Sequence, residues 1–371
     1  MTEIKIKDLR GVGDVELQLD DSKRVFVFFG SNGVGKTKTL ESLFLFLFYK
    51  TTGFKFELEK DNIFNFFKNI TYSNKKLKFV DYFFRDSNAL FFDYHYLKDL
   101  VPYFGYQAIA YLGANERSKI LKSSDSHSLN NGLSDRKNNY ILSIHNAIND
   151  QTLTNFAMNQ NIHLWFTERA KSVNPYQKEE DNRKVDIDTV LNALNILDSR
   201  IEKTLKIDGD GNVFLTIEGQ ERELSELSSG FISVVKIIQS IISAYSAFTN
   251  ATDLLNVKGV VLIDEIESHL HIEWQTKIVP TLKNLFPNTT FYIATHSPLV
   301  LSQLDEGEAY LLKRDDDNVV RSSVINSPNT RLLENVLQDA FDVDLNQLKR
   351  DNMEHIDQSK AKQKLLALLN R

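Results

Sequence analysis

The chain has no cysteine. Disulfides, thiolate metal sites and thiol nucleophiles are therefore excluded, and the composition suits a reducing compartment. A long apolar run is also missing. The most apolar stretch, Leu40 to Tyr49, covers about ten residues, where a membrane-spanning helix needs about twenty. Met1 to Lys7 alternates apolar with polar or charged residues and lacks the apolar core of a signal peptide. Positive charge is not in excess: 44 Lys and Arg stand against 50 Asp and Glu, for a net charge of −6. That total argues against a surface that binds nucleic acid throughout, while leaving room for a local basic patch. No internal repeat or low-complexity segment occurs, and no apolar heptad persists long enough for a coiled coil. These absences predict a soluble, cytoplasmic protein.

What is present is core material. Of 371 residues, 42% are hydrophobic and 25% charged, enough apolar surface for two to three domain-sized units or one large domain with an insertion. The 25 phenylalanines read as core and interface packing. Residues 3–7, 14–20 and 24–29 predict three strands. The third, Val25 to Phe29, is continuously apolar, as expected of a strand covered on both faces. Lys38 to Tyr49 predicts a helix. Lys78 to Phe84 and Gln107 to Leu112 are strand-like, and the polar residues 115–138 suggest a mobile loop. Residues 139–205 read as mainly helical, with Val190, Leu194, Leu197, Ile201 and Leu205 on one helix face. Residues 206–217 resemble a hairpin turning at Asp208 to Asn212. From 227 to 304 the pattern is helix, strand, helix, strand, and 329–369 reads as a closing helical section.

Four motifs carry chemistry. Gly30-Ser31-Asn32-Gly33-Val34-Gly35-Lys36-Thr37 matches the Walker A pattern. Glycines let such a loop curl so that backbone N–H groups point at phosphate oxygens. Lys36 offers a charge to the β- and γ-phosphates, Thr37 a hydroxyl to magnesium, and the following helix its positive end. The second motif, Val260 to Glu265, is an apolar strand ending in two carboxylates. Asp264 would reach the magnesium and Glu265 would polarise the attacking water as general base. The third, Leu227-Ser228-Ser229-Gly230-Phe231, precedes an apolar helix and could cradle a second phosphate. The fourth, Thr290 to Pro298, is a strand that ends near His296.

Two weaker features accompany them. His269, His271 and Glu273 could suggest a metal cluster, but Ser268 to Ile272 reads better as a dimer-contact loop. Gln107 is a candidate for the glutamine of a Q-loop.

Taken in this order, the motifs resemble the SMC/RecF/OLD branch of ABC ATPases. Leu227 to Phe231 resembles the ABC signature, with Phe231 where many members have Gln or Glu. Thr330 to Val343 resembles the region that follows the switch histidine in that branch. The resemblance covers residues 1–50 and 220–345, and 51–220 only in general character. It implies an α/β fold: an ABC ATPase head with a P-loop core sheet and an antiparallel β-subdomain, and a helical lobe inserted between Walker A and signature. The expected division is an N-terminal lobe 1–114, a helical insertion lobe 115–220, a C-terminal ATPase lobe 221–312 and a helical extension 313–371. It also implies ATP and Mg2+ as ligands, His296 as switch histidine, and Ser228, Ser229 and Gly230 as the cradle for a nucleotide held by a second copy. About 70 residues follow His296, too few for the Toprim domain of OLD nucleases. The chain is therefore similar to stand-alone ATPases of bacterial anti-phage systems such as Septu or PARIS, in which a separate effector, for example a nuclease, is controlled.

The alternative is a RecF-like DNA-binding ATPase, with Lys75-Lys76-Leu77-Lys78 and Arg117 to Lys122 as phosphate contacts. A third, a pure interaction protein with a dead site, is opposed by the joint presence of Lys36, Thr37, Asp264, Glu265 and His296.

Overall fold

The structure, a computed structural model, describes residues 1–52, 69–73, 80–83, 105–119 and 132–331 apart from 174, 177, 179 and 180, with a few isolated positions beyond. The basic run at 75–78, most of the 329–369 section and most of the segment Thr330 to Val343 lie outside the described residues.

Ten strands form the main sheet: β1 (Thr2–Leu9), β2 (Gly13–Leu19), β3 (Val25–Phe29), β4 (Asn69–Ser73), β5 (Val80–Phe83), β6 (Ala108–Leu112), β10 (Gly259–Ile263), β11 (Thr290–Ala294), β12 (Ala309–Arg314) and β13 (Val320–Val324). Their order is β5-β4-β1-β2-β13-β12-β3-β11-β10-β6. The run β12-β3-β11-β10-β6 is parallel, and β5-β4-β1-β2 is antiparallel. The fold is thus α/β, a parallel core continued by an antiparallel β-subdomain. Alternation explains the difference. In β1 and β2, Ile4, Ile6, Val15 and Leu17 are buried while Lys5, Glu16 and Gln18 are not, as in a sheet with one wet face. All five residues of β3, β6 and β10 are buried, as parallel strands require.

Helix α1 (Lys36–Thr52) packs across β11, β10 and β6, with Phe44 and Tyr111 ring centroids 5.0 Å apart. The insertion holds α2 (Leu133–Asn149), α3 (Ile162–Lys171), α4 (Lys184–Leu197) and a small antiparallel sheet of β7 (Ile201–Ile207), β8 (Val213–Ile217) and β9 (Gln220–Glu223). Then α5 (Ser229–Phe248) runs along β6 against α2 and α4. By length and composition α5 could cross a membrane, but its apolar surface is buried inside the protein. Ile237, Ile238 and Ile241 are fully buried, each worth about 1.5–3 kcal/mol of hydrophobic stabilisation. Helices α3, α4 and α5 share a polar knot at Asp186. Its carboxylate accepts from Arg169 Nε (2.9 Å), Arg183 Nη2 (2.5 Å) and Ser246 Oγ (2.7 Å), all buried. Three short helices follow: α6 (Ile272–Gln275), α7 (Ile278–Leu285) and α8 (Pro298–Leu301).

One helical expectation fails. The helix through Val190 and Leu194 stops at Leu197, and Ile201 and Leu205 belong to β7. Asp198 ends it by accepting the Arg200 N–H and gripping the Arg200 guanidinium, a local turn that competes with the helix. The loop expected at 115–138 is also shorter at its end, because α2 starts at Leu133. The hairpin at Asp208 to Asn212 and the turn at Asp315 to Asp317, between β12 and β13, are present.

Candidate functional site at the carboxyl edge of the parallel strands

Because β3, β11, β10 and β6 are parallel neighbours, their carboxyl ends meet at one edge. In such sheets that edge is the ligand crevice. The loop 30–35 leaves β3 there and feeds α1. Ser31, Asn32 and Gly33 are exposed, whereas Gly30 and Val34 are buried. Gly35 has φ +104°, and a Cβ there would lie 2.6 Å from Val12 Cγ1, so a side chain is excluded on both counts. Val12 is itself held by Arg314 Nη2, which donates to its carbonyl at 2.7 Å. The β-subdomain turn and β12 thereby support the loop.

Lys36 opens α1 and is only 5% exposed. Its ammonium donates to the Gly30 and Ser31 carbonyls at 2.8 and 2.9 Å and lies 3.2 Å from His296 Nδ1. Burial pushes its pKa down to about 8, with Glu267, Asp264 and Glu265 pulling the other way. Thr37 Oγ1 donates to Asp264 Oδ2 and Oδ1 at 3.0 and 3.1 Å. Asp264 is 1% exposed, and burial raises its carboxyl to about 7 despite the Thr37 hydrogen bond. Glu265 and Glu41 push it the same way. The hydroxyl and carboxylate oxygens form a hard donor set that fits a magnesium ion, which would supply the missing positive charge.

Glu265 takes a left-handed backbone conformation, φ 44°, and its Oε2 accepts from Ser268 Oγ at 3.0 Å. His296 follows β11 and is partly exposed; burial and the Lys36 charge lower its pKa. A residue that the sequence pattern did not single out joins these two segments. Glu267 Oε1 accepts the His296 N–H at 2.5 Å, and Oε2 accepts the Thr295 hydroxyl at 2.6 Å. Its only sequence signal is a carboxylate three residues past Asp264, on a loop where acids are common.

The structure thus gathers Gly30 to Thr37, Asp264, Glu265 and His296 at one edge. Ser228, Ser229 and Gly230 are different. Ser228 caps α5, its Oγ accepting the Phe231 N–H at 3.3 Å, and both serines are exposed. Among the described residues their side chains bond to no residue of the loop 30–37. Gly230 is buried against the loop that follows Glu265: a Cβ there would lie 3.3 Å from the His269 carbonyl.

Two sequence assignments change. Gln107 precedes β6, its N–H donating to the Lys258 carbonyl, so it sits at the end of the strand opposite the crevice. The segment at the crevice end is 113–119. Arg117 is no surface phosphate contact. It is fully buried, donating from Nη1 to the Glu265 carbonyl at 2.7 Å and from Nη2 to the Gly113 and Asp264 carbonyls at 2.8 Å. Burial lowers its pKa to about 10, with the surrounding acids opposing. Finally, Glu273 pairs with Lys277 at 2.6 Å, and no cluster of three metal-ligating side chains occurs among the described residues.

The chain is similar to known proteins. Residues 25–302 match a family described as "AAA domain, putative AbiEii toxin, Type IV TA system". Septu protein PtuA of Bacillus thuringiensis is 24% identical over 364 residues, covering 92% of this chain and 84% of that protein. "Retron Ec83 probable ATPase" of Escherichia coli is 34% identical over 114 residues, 30% of this chain. That match spans 21% of the retron protein's own length. Among solved structures, an Smc head domain from Pyrococcus furiosus aligns with 88% of this chain and 97% of its own, at 10% identity and a TM-score of 0.48. With the family match extending from the P-loop strand past His296, the chain belongs to this AAA-domain family.

Proposed function

We propose that the chain hydrolyses ATP in a composite site shared by two copies of itself. The observation that carries this reading is the split between two sets of groups. Lys36, Thr37, Asp264, Glu265 and His296 converge at one sheet edge, while the exposed serines at the start of α5 bond to nothing in that cluster. A second cradle that makes no bond to the chain's own phosphate loop fits a nucleotide held by a second chain.

In this reading the loop 30–35 wraps the phosphates with its N–H groups, and Lys36 leaves its carbonyl partners for the β- and γ-oxygens. Thr37 and Asp264 would hold magnesium, which supplies charge neutralisation at the phosphates. Glu265 orients and deprotonates the attacking water, and His296 contacts the γ-phosphate. Ser228, Ser229 and the first turn of α5 close on the γ-phosphate of the partner's nucleotide. Cleavage removes that bridge and the heads part. The lobes 1–114, 115–220 and 221–312 form part of the same proposal; the expected helical extension 313–371 changes, because β12 and β13 carry the main sheet on to Val324.

We further infer that the ATPase cycle controls a separate effector in anti-phage defence. The support is the similarity to Septu and retron proteins, together with the absence among the described residues of any cluster of three side chains that could hold a nuclease-type metal. The burial of Arg117 weakens the RecF-like reading, which used it as a phosphate contact.

The test is Glu265→Gln. The variant should bind ATP, lose turnover by two orders of magnitude or more, and elute as a stable dimer with ATP. An unchanged elution volume together with wild-type turnover would sink the reading. In cells Lys36→Ala and Glu265→Gln should both abolish phage protection; full protection by both would remove the defence role.

A further inference from the structure

Two buried cations anchor the segment 113–119, Arg117 from within it and Lys236 from α5, and the ATPase reading gives neither a task. Arg117 forks onto the carbonyls of Asp264 and Glu265. Lys236, on α5, is 1% exposed, and its ammonium donates to the carbonyls of Glu116 (3.2 Å), Lys119 (2.5 Å) and Met158 (2.8 Å). Glu116 and Lys119 bracket Arg117 in sequence. Lys236 lies eight residues past the Ser228 cap, about 12 Å along the helix at 1.5 Å per residue.

A second set of bonds fixes the same segment to the insertion. Gly113 N–H donates to the Phe156 carbonyl and Asn115 N–H to the Thr154 carbonyl, both at 3.0 Å. Ser240, one turn beyond Lys236, donates to the Ala157 carbonyl at 3.3 Å. The segment 113–119 is thus a hub between α5, the insertion and the carbonyls of Asp264 and Glu265. The Arg117 and Lys236 side chains are themselves buried, so each needs these carbonyls as hydrogen-bond partners, and losing either donor loosens the segment.

We propose that Arg117 is a positioning residue for Glu265 and that Lys236 makes its placement follow the signature helix of the same chain. A displacement of α5 carries the carbonyls of Glu116 and Lys119 with it. The Arg117 fork between them moves with the segment. The Glu265 backbone, already left-handed at φ 44°, is the end of the line. Each chain's α5 faces the nucleotide of its partner. The partner's γ-phosphate therefore sets the carboxylate that cleaves the chain's own nucleotide, and the two sites become coupled. This inference rests on the composite-site reading.

The experiment uses mixed dimers of two differently tagged full chains. One chain keeps Glu265, and the other carries Glu265→Gln, so turnover comes from the first chain's nucleotide alone. Lys236→Met is then placed in either chain. In the chain that keeps Glu265 it should lower kcat about tenfold with KM within about twofold, a coupling of ordinary size. In the Glu265→Gln chain, whose α5 touches the hydrolysed nucleotide, it should change kcat by less than about twofold. Lys236→Arg, which keeps donors, should restore turnover in the first placement. Equal losses in both placements, or a larger loss in the second, would overturn the proposal, because Lys236 would then only stiffen the cradle. Should Lys236→Met fail to fold, Arg117→Lys in the same two placements gives the same decision. The dimer without either substitution is the control for the underlying reading. If it neither forms nor turns over ATP, the composite site itself has failed. If it does both and the placements do not differ, only the coupling has failed.

Discussion

Lys36 Nζ lies 3.2 Å from His296 Nδ1, and two P-loop carbonyls complete its hydrogen bonding. The lysine that should meet phosphate is therefore folded onto its own loop and onto the histidine. A ligand must take Lys36 away from these partners, and in doing so it frees His296. The first prediction follows from charge. Lys36→Met should raise the His296 pKa in ligand-free protein, because it removes a positive charge that helps hold that pKa down. An NMR titration of the imidazole would read it; an unchanged midpoint would show that burial alone depresses His296.

Two opposed shifts define a pH window. Asp264 is raised from 3.8 to about 7, so its contribution to stability is full below 3.8 and is lost as pH rises through 7. Lys36 is lowered from 10.5 to about 8, so its contribution is present above 10.5 and is lost as pH falls through 8. Between about 7 and about 8 both are charged, and the empty site is at its least favourable. That is also where a magnesium nucleotide gains most. The rise in melting temperature given by Mg2+ and a non-hydrolysable ATP analogue should peak in this window. A rise that is flat from pH 6 to 9 would contradict it.

Glu267 uses both carboxylate oxygens as acceptors, for His296 N–H and the Thr295 hydroxyl. Glu267→Gln turns one acceptor into a donor facing a donor. It should cost about 1–3 kcal/mol in urea unfolding and lower kcat more than it raises KM. A variant with native kcat would show that the histidine is held well enough without it.

Asp186 balances Arg169 and Arg183 inside the helical lobe, far along the chain from the P-loop. Asp186→Asn leaves two buried guanidinium groups short of a counter-charge and should destabilise by about 3–5 kcal/mol. Nucleotide affinity of the folded fraction should stay near wild type. A loss below about 1 kcal/mol would mean that solvent reaches the knot.

The motifs at 30–37, 227–231 and 260–265 were legible because their chemistry is local. A glycine-rich turn after an apolar strand, a serine cap before an apolar helix and carboxylates at a strand end each declare themselves within a few residues. The strand alternation of β1 and β2 and the unbroken apolar runs of β3 and β10 are local in the same sense. Gln107 was misread because residue type was weighed without strand direction; only the pairing of β6 with β10 shows which end faces the crevice.

Arg117 marks the wider limit. As sequence it is a cation in a polar stretch, indistinguishable from a surface phosphate contact. Its burial depends on three carbonyls, two of them nearly 150 residues away, at Asp264 and Glu265. Lys236 and Glu267 are hidden in the same way, their roles set by partners brought from other strands and loops. The residue order alone determined that this chain carries a glycine-rich turn after an apolar strand, a pair of carboxylates at a strand end and a serine cap before an apolar helix. Tertiary packing decided which buried charges connect them, because a hydrogen bond between distant segments leaves no period in the sequence.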